Sequence, residues 1–193
     1  QISAAVLRTA IQNNIFHLEE REVSRIEEEA LLDKKLTLNE EQQQVFTQIN
    51  QQWENQQVVL LRGVTASGKT HVYVDLIKQV LSEGKQVLYL VPEIALTTQL
   101  IRRLKNLLGT VGVYHSKYNP SERVETWLKV LHQEINVVIG ARSSMFLPFT
   151  NLGLIIVDEE HDGSYKQNDP APRYQARDCV IWLAHQAQAK VLL

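Results

Sequence analysis

The sequence predicts a three-layer α/β domain, in which helices cover both faces of a mostly parallel sheet. Six short runs of Val, Ile and Leu recur after residue 57, stretches with helical spacing separate them, and a glycine-rich loop follows the first run. Short, continuous apolar runs are typical of strands that are buried on both faces, and helices connect such strands in parallel. The functional site of this class lies at the carboxyl ends of the strands.

The elements follow from these patterns in chain order. The predicted strands are Val58–Leu61, Val87–Val91, Val111–Tyr114, Val137–Ile139, Leu154–Val157 and Val191–Leu193. The predicted helices are one that Asn39 caps and that runs through Asn50, followed by Thr70–Ser82, Ile94–Leu108, Pro120–Gln133 and Tyr174–Ala189. An Asn before an apolar-periodic stretch is a helix start signal, because its side chain can accept from the first-turn amides.

Residues 1–36 form a different segment from residues 37–193. Their pattern of a short amphipathic helix, two short apolar stretches and a charged connector fits the end of a winged-helix domain. A surface helix followed by a linker explains the same pattern equally well. We therefore predict two parts, a winged-helix remnant with its linker at 1–36 and the α/β lobe at 37–193.

Composition excludes several classes of protein. Hydrophobic residues make up 44% of the 193 residues and charged residues 22%, which excludes wholesale disorder. Cys179 is the only cysteine, which excludes an internal disulfide framework and fits a reducing, cytoplasmic setting. No apolar run approaches the ~18–20 residues of a membrane span. The net charge is −2, so any contact with nucleic acid must come from local patches.

The glycine-rich loop matches the phosphate-binding pattern G-x-x-x-x-G-K-[ST] in full. Its residues are Gly63, Val64, Thr65, Ala66, Ser67, Gly68, Lys69 and Thr70. The glycines allow backbone N–H groups to surround phosphate oxygens, and the helix that follows presents its positive dipole end. Lys69 would reach the β- and γ-phosphates, and the Thr70 hydroxyl would bind Mg²⁺. An ordinary glycine-rich turn is the competing interpretation, which the flanking strand and helix disfavour.

An acidic cluster ends the predicted strand Leu154–Val157. Asp158 would hold Mg²⁺ through water, and Glu159 would orient and deprotonate the attacking water. The competing interpretation is a solvated strand end, and it is the one that we favour for Glu160. His161 fits a structural hydrogen bond or a role in coupling the nucleotide to another site.

Missing motifs narrow the class of P-loop protein. The sequence has neither an L-S-G-G-Q signature nor an N-K-x-D guanine motif, and no arginine-rich lid is recognisable. The sequence D-E-E-H at 158–161 is the helicase form of the acidic motif. Further strand-end loops place Thr97, Arg142 and Ser143 at the same sheet edge, where they could bind a sugar-phosphate backbone. In the loop after Asp158, Tyr165 and Tyr174 could stack on bases or simply pack on their own domain. Trp127 is expected in the core or at its margin.

These motifs together resemble the PriA family of bacterial replication-restart helicases, which belong to helicase superfamily two. The matching stretches are Gly63–Thr70, Leu90–Thr97, Val138–Phe146, Asn151–Gln167 and Arg173–Asp178. The resemblance implies a RecA-like lobe, ATP with Mg²⁺, and movement from 3′ to 5′ on DNA. It implies forked and single-stranded DNA, single-stranded-DNA-binding protein and other primosome proteins as partners, and a bacterial, nucleoid-associated location without a membrane. Ala66 departs from the family, which usually has glycine there.

The same resemblance assigns roles to further residues. Gln42 would recognise adenine, and the loop His161–Arg177 would link DNA contact to hydrolysis, with His161, Tyr165, Lys166, Arg173 and Tyr174 as the DNA-binding or coupling residues. In the family a zinc module and a second lobe with an arginine finger follow the position of Leu193. We therefore expect Zn²⁺ only outside this chain, and weak ATP hydrolysis by it alone. A P-loop phosphotransferase and a nucleotide-gated binding module are the alternatives.

Overall fold

The computed structural model describes residues 37–64, 67–115 and 119–193, and within them one parallel sheet organises the fold. The strands of the sheet are β1 (Val58–Val59), β2 (Gln86–Leu90), β3 (Gly112–Tyr114), β4 (Val137–Gly140), β5 (Leu152–Val157) and β8 (Lys190–Leu192). They lie in the order β1-β8-β5-β2-β4-β3, and every neighbouring pair is parallel. The predicted winged-helix remnant at 1–36 lies outside the described residues.

Helices pack on both faces of this sheet. They are α1 (Glu40–Gln52), α2 (Lys69–Ser82), α3 (Thr98–Leu108), α4 (Pro120–Leu131) and α5 (Ala176–Ala187). One core joins the sheet to α1, α2 and α3, a second joins it to α5, and a third lies beneath α4. The predicted three-layer α/β class is therefore confirmed.

Strand β5 is apolar throughout because both of its faces are buried. Leu154 and Ile156 face the core under α2, whereas Ile155 and Val157 face the core under α5. Because side chains alternate between the two faces, the residue after Val157 is directed toward α2. The alternation along β5 thus places the Asp158 side chain on the same side of the sheet as the helix that follows the glycine-rich loop.

The predicted helix Ile94–Leu108 is wrong in its first four residues. The structure has a 3₁₀ turn at Glu93–Ala95 and starts α3 only at Thr98. Thr97 has extended backbone angles, and its hydroxyl accepts from the Leu100 amide at 3.2 Å. This side chain caps α3, and a capping residue cannot continue a helix through itself.

The predicted start of the last helix at Tyr174 is also wrong. Tyr174–Gln175 forms strand β7, which pairs antiparallel with β6 (Lys166–Gln167), and α5 begins at Ala176. The backbone groups of Tyr174 are used by this ribbon, so helical hydrogen bonds start later. Trp127, expected in the core or at its margin, is 40% exposed on α4, because Thr126 and Val130 occupy the buried face of that helix. Among the described residues, no helix is long and apolar enough to cross a membrane.

Candidate nucleotide-binding site

The glycine-rich loop ends in a backbone conformation that favours glycine. Gly68 has a φ of +84° and directly precedes Lys69, the first residue of α2. A Cβ atom at Gly68 would be strained at this angle and would meet the Gln42 amide nitrogen. The first amides of α2 have no helical partners of their own, so this turn presents N–H donors and a positive dipole end to an anion.

The acidic motif continues the hydrogen-bond ladder of the sheet. The Asp158 amide donates to the Leu90 carbonyl at 2.9 Å, which extends the pairing of β5 with β2 by one residue. Glu159 then has a φ of +49°, a left-handed conformation that is uncommon for a residue with a side chain. The chain therefore turns sharply out of the sheet at Glu159.

The two motifs meet in space. The Lys69 ammonium lies 3.5 Å from a Glu159 carboxylate oxygen and donates to the Gly63 carbonyl at 3.1 Å. His161, which is 75% exposed, lies 3.7 Å from the other Glu159 oxygen. The residues share an open cleft of about 510 Å³, whose lining includes Gly63, Lys69, Tyr73, Glu159 and His161. These contacts bring the glycine-rich loop and the acidic motif to one cleft, and the predicted role of that cleft as a phosphate site stays a prediction.

The donor set fits a magnesium ion that is brought in with a nucleotide. Across the described ranges, no group of three or more His, Cys, Asp or Glu side chains could hold a metal ion unaided. Thr70 lies half-buried in the first turn of α2, and Asp158 lies half-buried at the strand end. A hydroxyl and one carboxylate leave most coordination positions to phosphate oxygens and water, as Mg²⁺ prefers.

Gln42 lies beside the glycine-rich loop. Its amide nitrogen is 3.5 Å from the Gly68 carbonyl oxygen and 3.4 Å from Nδ1 of His71. Its amide oxygen accepts from the Asn39 backbone at 3.1 Å, while the Asn39 side chain accepts from the Gln42 amide at 2.8 Å. This capping box fixes the start of α1 against the loop. The predicted role of Gln42 with adenine stays a prediction.

Three tyrosines surround Asp158. The sequence analysis did not assign any of them to the nucleotide site, and it considered Tyr165 only for DNA. The hydroxyls of Tyr73 and Tyr89 donate to its two carboxylate oxygens at 3.3 and 3.1 Å. The Tyr165 hydroxyl donates to its backbone carbonyl at 2.6 Å. Because Tyr165 is 0% exposed, its ring packs on its own domain, which is the second of the two alternatives that the sequence left open. No sequence pattern distinguishes such tyrosines from ordinary core residues.

Arg142 connects the end of β4 to the loop that follows the acidic motif. Its guanidinium donates to the carbonyl of Ser164 at 2.9 Å and to that of Lys166 at 3.4 Å. The tight turn before Arg142 requires Gly140, because a Cβ atom there would meet the Ser144 hydroxyl and the Tyr114 carbonyl. Ser143 lies half-buried on the same short 3₁₀ helix, Arg142–Phe146.

The outer side of this loop is basic and aromatic. Lys166 and Arg173 are exposed, and Tyr174 is half-buried. Phe146, which the sequence analysis did not single out, is 61% exposed, and its ring meets the Tyr174 ring edge-on at 5.4 Å between centroids.

Glu160, expected to be solvated, instead pairs with Arg177 at 2.9 Å. Thr97 is exposed and caps α3.

A parallel sheet whose glycine-rich loop and acidic strand end face one cleft defines a P-loop NTPase, and the D-E-E-H motif is that of a helicase. The chain belongs to the DEAD/DEAH box helicase family, whose family model matches residues 39–190.

Curated relatives narrow the similarity further. The chain is 43% identical over 199 residues to replication restart protein PriA of Chlamydia trachomatis, a match covering 100% of this chain and 26% of that protein. It is 41% identical to PriA of Bacillus subtilis, over 99% of this chain and 24% of the relative. It is 47% identical to PriA of Helicobacter pylori, in a match that covers 69% of this chain and 22% of that protein. The resemblance to PriA is thus confirmed, and the chain spans about a quarter of the length of these relatives.

Solved structures support the fold. The chain superimposes on RecG bound to a three-way DNA junction with a TM-score of 0.60 and 20% identity, over 100% of this chain and 22% of that one. A second match, the restriction-modification enzyme LlaBIII bound to DNA, has a TM-score of 0.57 and 19% identity, over 83% and 12% of the two chains. At these identities the likeness shows the RecA-like fold alone.

Proposed function

We propose that this chain is the ATP- and Mg²⁺-binding first motor lobe of a replication-restart DNA helicase that moves from 3′ to 5′. The observation that carries the proposal is the 3.5 Å approach of Lys69 to Glu159, which brings the phosphate loop and the acidic motif to one cleft. The identity to PriA proteins supports the replication-restart assignment. Because the chain spans about a quarter of those relatives, the activity of a whole helicase is part of the proposal.

Each residue predicted to bind the nucleotide or the metal has a role in this proposal. The loop from Gly63 to Gly68 surrounds the phosphates, and Lys69 binds their β- and γ-oxygens. Thr70 and Asp158 hold Mg²⁺, whose charge offsets that of the phosphates. Glu159 accepts a proton from the attacking water. Gln42 recognises adenine at the outer end of the loop.

The ion pair between Lys69 and Glu159 can be exchanged for contacts with a phosphate. Two cationic or potentially cationic side chains, Lys69 and His161, face the two oxygens of Glu159. When phosphate oxygens attract the Lys69 ammonium, Glu159 is released to accept a hydrogen bond from water. The exchange is electrostatically favourable for Lys69 because phosphates carry more negative charge than a single carboxylate.

The loop after the acidic motif supplies the contact surface for DNA. Lys166 and Arg173 would meet phosphates, whereas Phe146 and Tyr174 present aromatic edges and faces for bases. Thr97 and Ser143 would add hydroxyl donors along the backbone. We propose forked and single-stranded DNA as the substrate, with single-stranded-DNA-binding protein and other primosome proteins as partners of the longer protein.

A nucleotide-binding measurement tests the central claim. The chain should bind a fluorescent ATP analogue with Mg²⁺, and Lys69→Ala should weaken that binding by at least about tenfold, as loss of a charge-assisted contact implies. Lys78→Ala is the matched control, because Lys78 is an exposed lysine on the same helix. Hydrolysis by the chain alone should be slow, since an arginine finger contributes roughly 10³–10⁵ in rate. Equal loss in both variants would contradict the proposal, and rapid transfer of phosphate to a small hydroxyl acceptor would favour a phosphotransferase.

A further inference from the structure

Two tyrosine hydroxyls from different elements hold the carboxylate of Asp158. Tyr73 on α2 donates to Oδ1 at 3.3 Å, and Tyr89 on β2 donates to Oδ2 at 3.1 Å. The two rings pack edge-on, with centroids 5.7 Å apart and an interplanar angle of 77°. Each carboxylate oxygen therefore has its own phenol donor, and the two donors approach from two sides.

The fold dictates this convergence. Tyr73 follows Lys69 by four residues on α2, so both side chains lie on one face of the helix. Tyr89 pairs in register with Ile156, which precedes Asp158 by two residues, so Tyr89 and Asp158 lie on one face of the sheet. The helix that carries the phosphate-binding lysine thus also carries a donor to the acidic motif.

The tyrosines are rigid and remain donors. Tyr73 is 2% exposed and Tyr89 is 0% exposed, and both rings belong to the core between the sheet and α2. A tyrosine hydroxyl carries its proton at neutral pH and can donate it. A buried hydroxyl needs an acceptor for its proton, and for both tyrosines that acceptor is the Asp158 carboxylate.

The Asp158 carboxylate is consequently fixed in rotation. The Glu159 amide adds a third hydrogen bond, at 3.2 Å to Oδ1. A carboxylate that accepts three hydrogen bonds from groups on three elements cannot turn about its Cβ–Cγ bond without breaking them. Its remaining lone pairs keep a constant direction with respect to Thr70, which precedes Tyr73 by less than one turn of α2.

We propose that Tyr73 and Tyr89 are positioning residues for the metal, in that they aim the Asp158 carboxylate at the water shell of a nucleotide-bound Mg²⁺. The inference rests on the proposed function, because it assumes that Asp158 serves Mg²⁺ there. Mg²⁺ demands near-ideal octahedral geometry and keeps several waters, so the direction of an acceptor that contacts those waters matters. Groups that orient such acceptors typically contribute 10- to 100-fold in metal affinity.

Replacing the tyrosines by phenylalanine removes the hydroxyls while keeping the rings. In the 193-residue chain, binding of a fluorescent ATP analogue is titrated with Mg²⁺, and the same analogue is measured with the metal chelated. We expect the Mg²⁺ concentration at half-saturation to rise by about threefold in Tyr73→Phe and in Tyr89→Phe and by about tenfold in the double variant. Binding without metal should stay within twofold, because both hydroxyls donate to Asp158 and neither donates to the described residues of the glycine-rich loop.

Tyr114→Phe is the matched control. It removes a hydroxyl hydrogen bond of a buried tyrosine, but that bond comes from Arg123, which lies on α4. If the Mg²⁺ titrations of all the variants coincide with that of Tyr114→Phe, the positioning role is overturned. If the unaltered chain does not bind the nucleotide with Mg²⁺, the proposed function itself fails. Should the double variant not fold, the two single variants carry the test with the same criterion.

Discussion

The ammonium of Lys69 and the carboxylate of Glu159 lie 3.5 Å apart, although ninety residues separate them in the chain. Lys69 begins the helix after β1, whereas Glu159 follows the end of β5, which lies near the middle of the sheet. A parallel sheet brings these ends to one edge because every strand runs in the same direction. Placement of the two groups on opposite sides of the domain would have excluded a shared triphosphate.

Glu159→Gln should separate binding from hydrolysis. An amide of the same size cannot accept a proton from water, so single-turnover ATP hydrolysis with excess protein should fall by about 100-fold or more. Affinity for the nucleotide should change by less than about threefold, since the ion pair with Lys69 is partly exposed and is replaced by phosphate contacts.

Glu160→Gln is the control for that change, because Glu160 is also half-buried and pairs with Arg177. Its hydrolysis rate should stay within about threefold of that of the unaltered chain. A loss in Glu160→Gln as large as that in Glu159→Gln would show that the acidic cluster acts through folding and would contradict the role of Glu159 as the base.

Arg142→Lys should loosen the loop that follows the acidic motif. Nη1 of the Arg142 guanidinium donates to both carbonyls, those of Ser164 and Lys166, and the shorter side chain of a lysine cannot bring its ammonium to the same position. Amides in 163–167 should exchange with solvent at least about tenfold faster, as loss of roughly one to two hydrogen bonds implies. Hydrogen exchange followed by mass spectrometry measures this directly.

The comparison variant for Arg142 is Arg173→Ala, which removes an exposed arginine from the same loop. Exchange at 163–167 should not change in that variant. Unchanged exchange in Arg142→Lys as well would mean that the loop is held by other contacts, such as the Tyr165 hydroxyl bond to Asp158.

Local patterns were sufficient to predict the sheet, the phosphate loop and the acidic strand end. Buried strands need continuous apolar runs, and a phosphate loop needs glycines at fixed spacing, so both are visible within about eight residues. The alternation along β5 also fixes the side of the sheet that Asp158 faces, so this part of the site follows from sequence once the sheet is assumed.

The remaining site residues depend on partners distant in the chain. Tyr73 and Tyr89 satisfy the pattern of ordinary core residues, and only the register of β2 with β5 brings Tyr89 to Asp158. Arg142 was predicted to contact DNA, but its guanidinium bonds to two loop carbonyls. Helix starts were misplaced where one side chain or one strand pair outweighed helical periodicity, as at Thr97 and Tyr174.

Phe146→Ala should weaken binding of single-stranded DNA. The ring is 61% exposed beside the basic residues of the loop, and base stacking on an aromatic ring contributes about 1–3 kcal/mol. Fluorescence anisotropy with a labelled oligothymidine should show roughly a 5- to 150-fold loss of affinity. Trp182→Ala is the control, because Trp182 is similarly exposed, at 66%, but lies on α5.

Lys166→Ala should weaken the same binding through charge. Removal of one phosphate contact reduces the slope of log affinity against log salt by about 0.7 for single strands. Phe146→Ala should leave that slope unchanged, since stacking releases no counterions. If the unaltered chain, Lys166→Ala and Phe146→Ala all have the same salt slope, the cations that contact DNA lie elsewhere, and the proposed surface is contradicted.

The tyrosines around Asp158 should make the fold sensitive to alkaline pH. Burial, reinforced by the Asp158 charge, raises the pKa of Tyr73, Tyr89 and Tyr165 in the folded chain above the ordinary value of 10.0. Below pH 10 these hydroxyls are protonated in both states, so their contribution is complete. Above it the unfolded chain loses protons that the folded chain retains, and the free energy of unfolding must fall as pH rises.

Denaturant unfolding at intervals between pH 7 and pH 11 measures this fall, and absorbance at 295 nm reports which tyrosines ionise. We expect the three buried hydroxyls to ionise only as the chain unfolds, while Tyr174, whose pKa is raised less by its partial burial, ionises earlier. Tyr73→Phe removes one of the three groups and should flatten the decline above pH 10, because fewer protons are then released on unfolding. A decline equally steep in Tyr73→Phe would mean that other groups govern alkaline unfolding, and ionisation of all tyrosines near pH 10 without unfolding would show that the Asp158 carboxylate is not enclosed by neutral phenols.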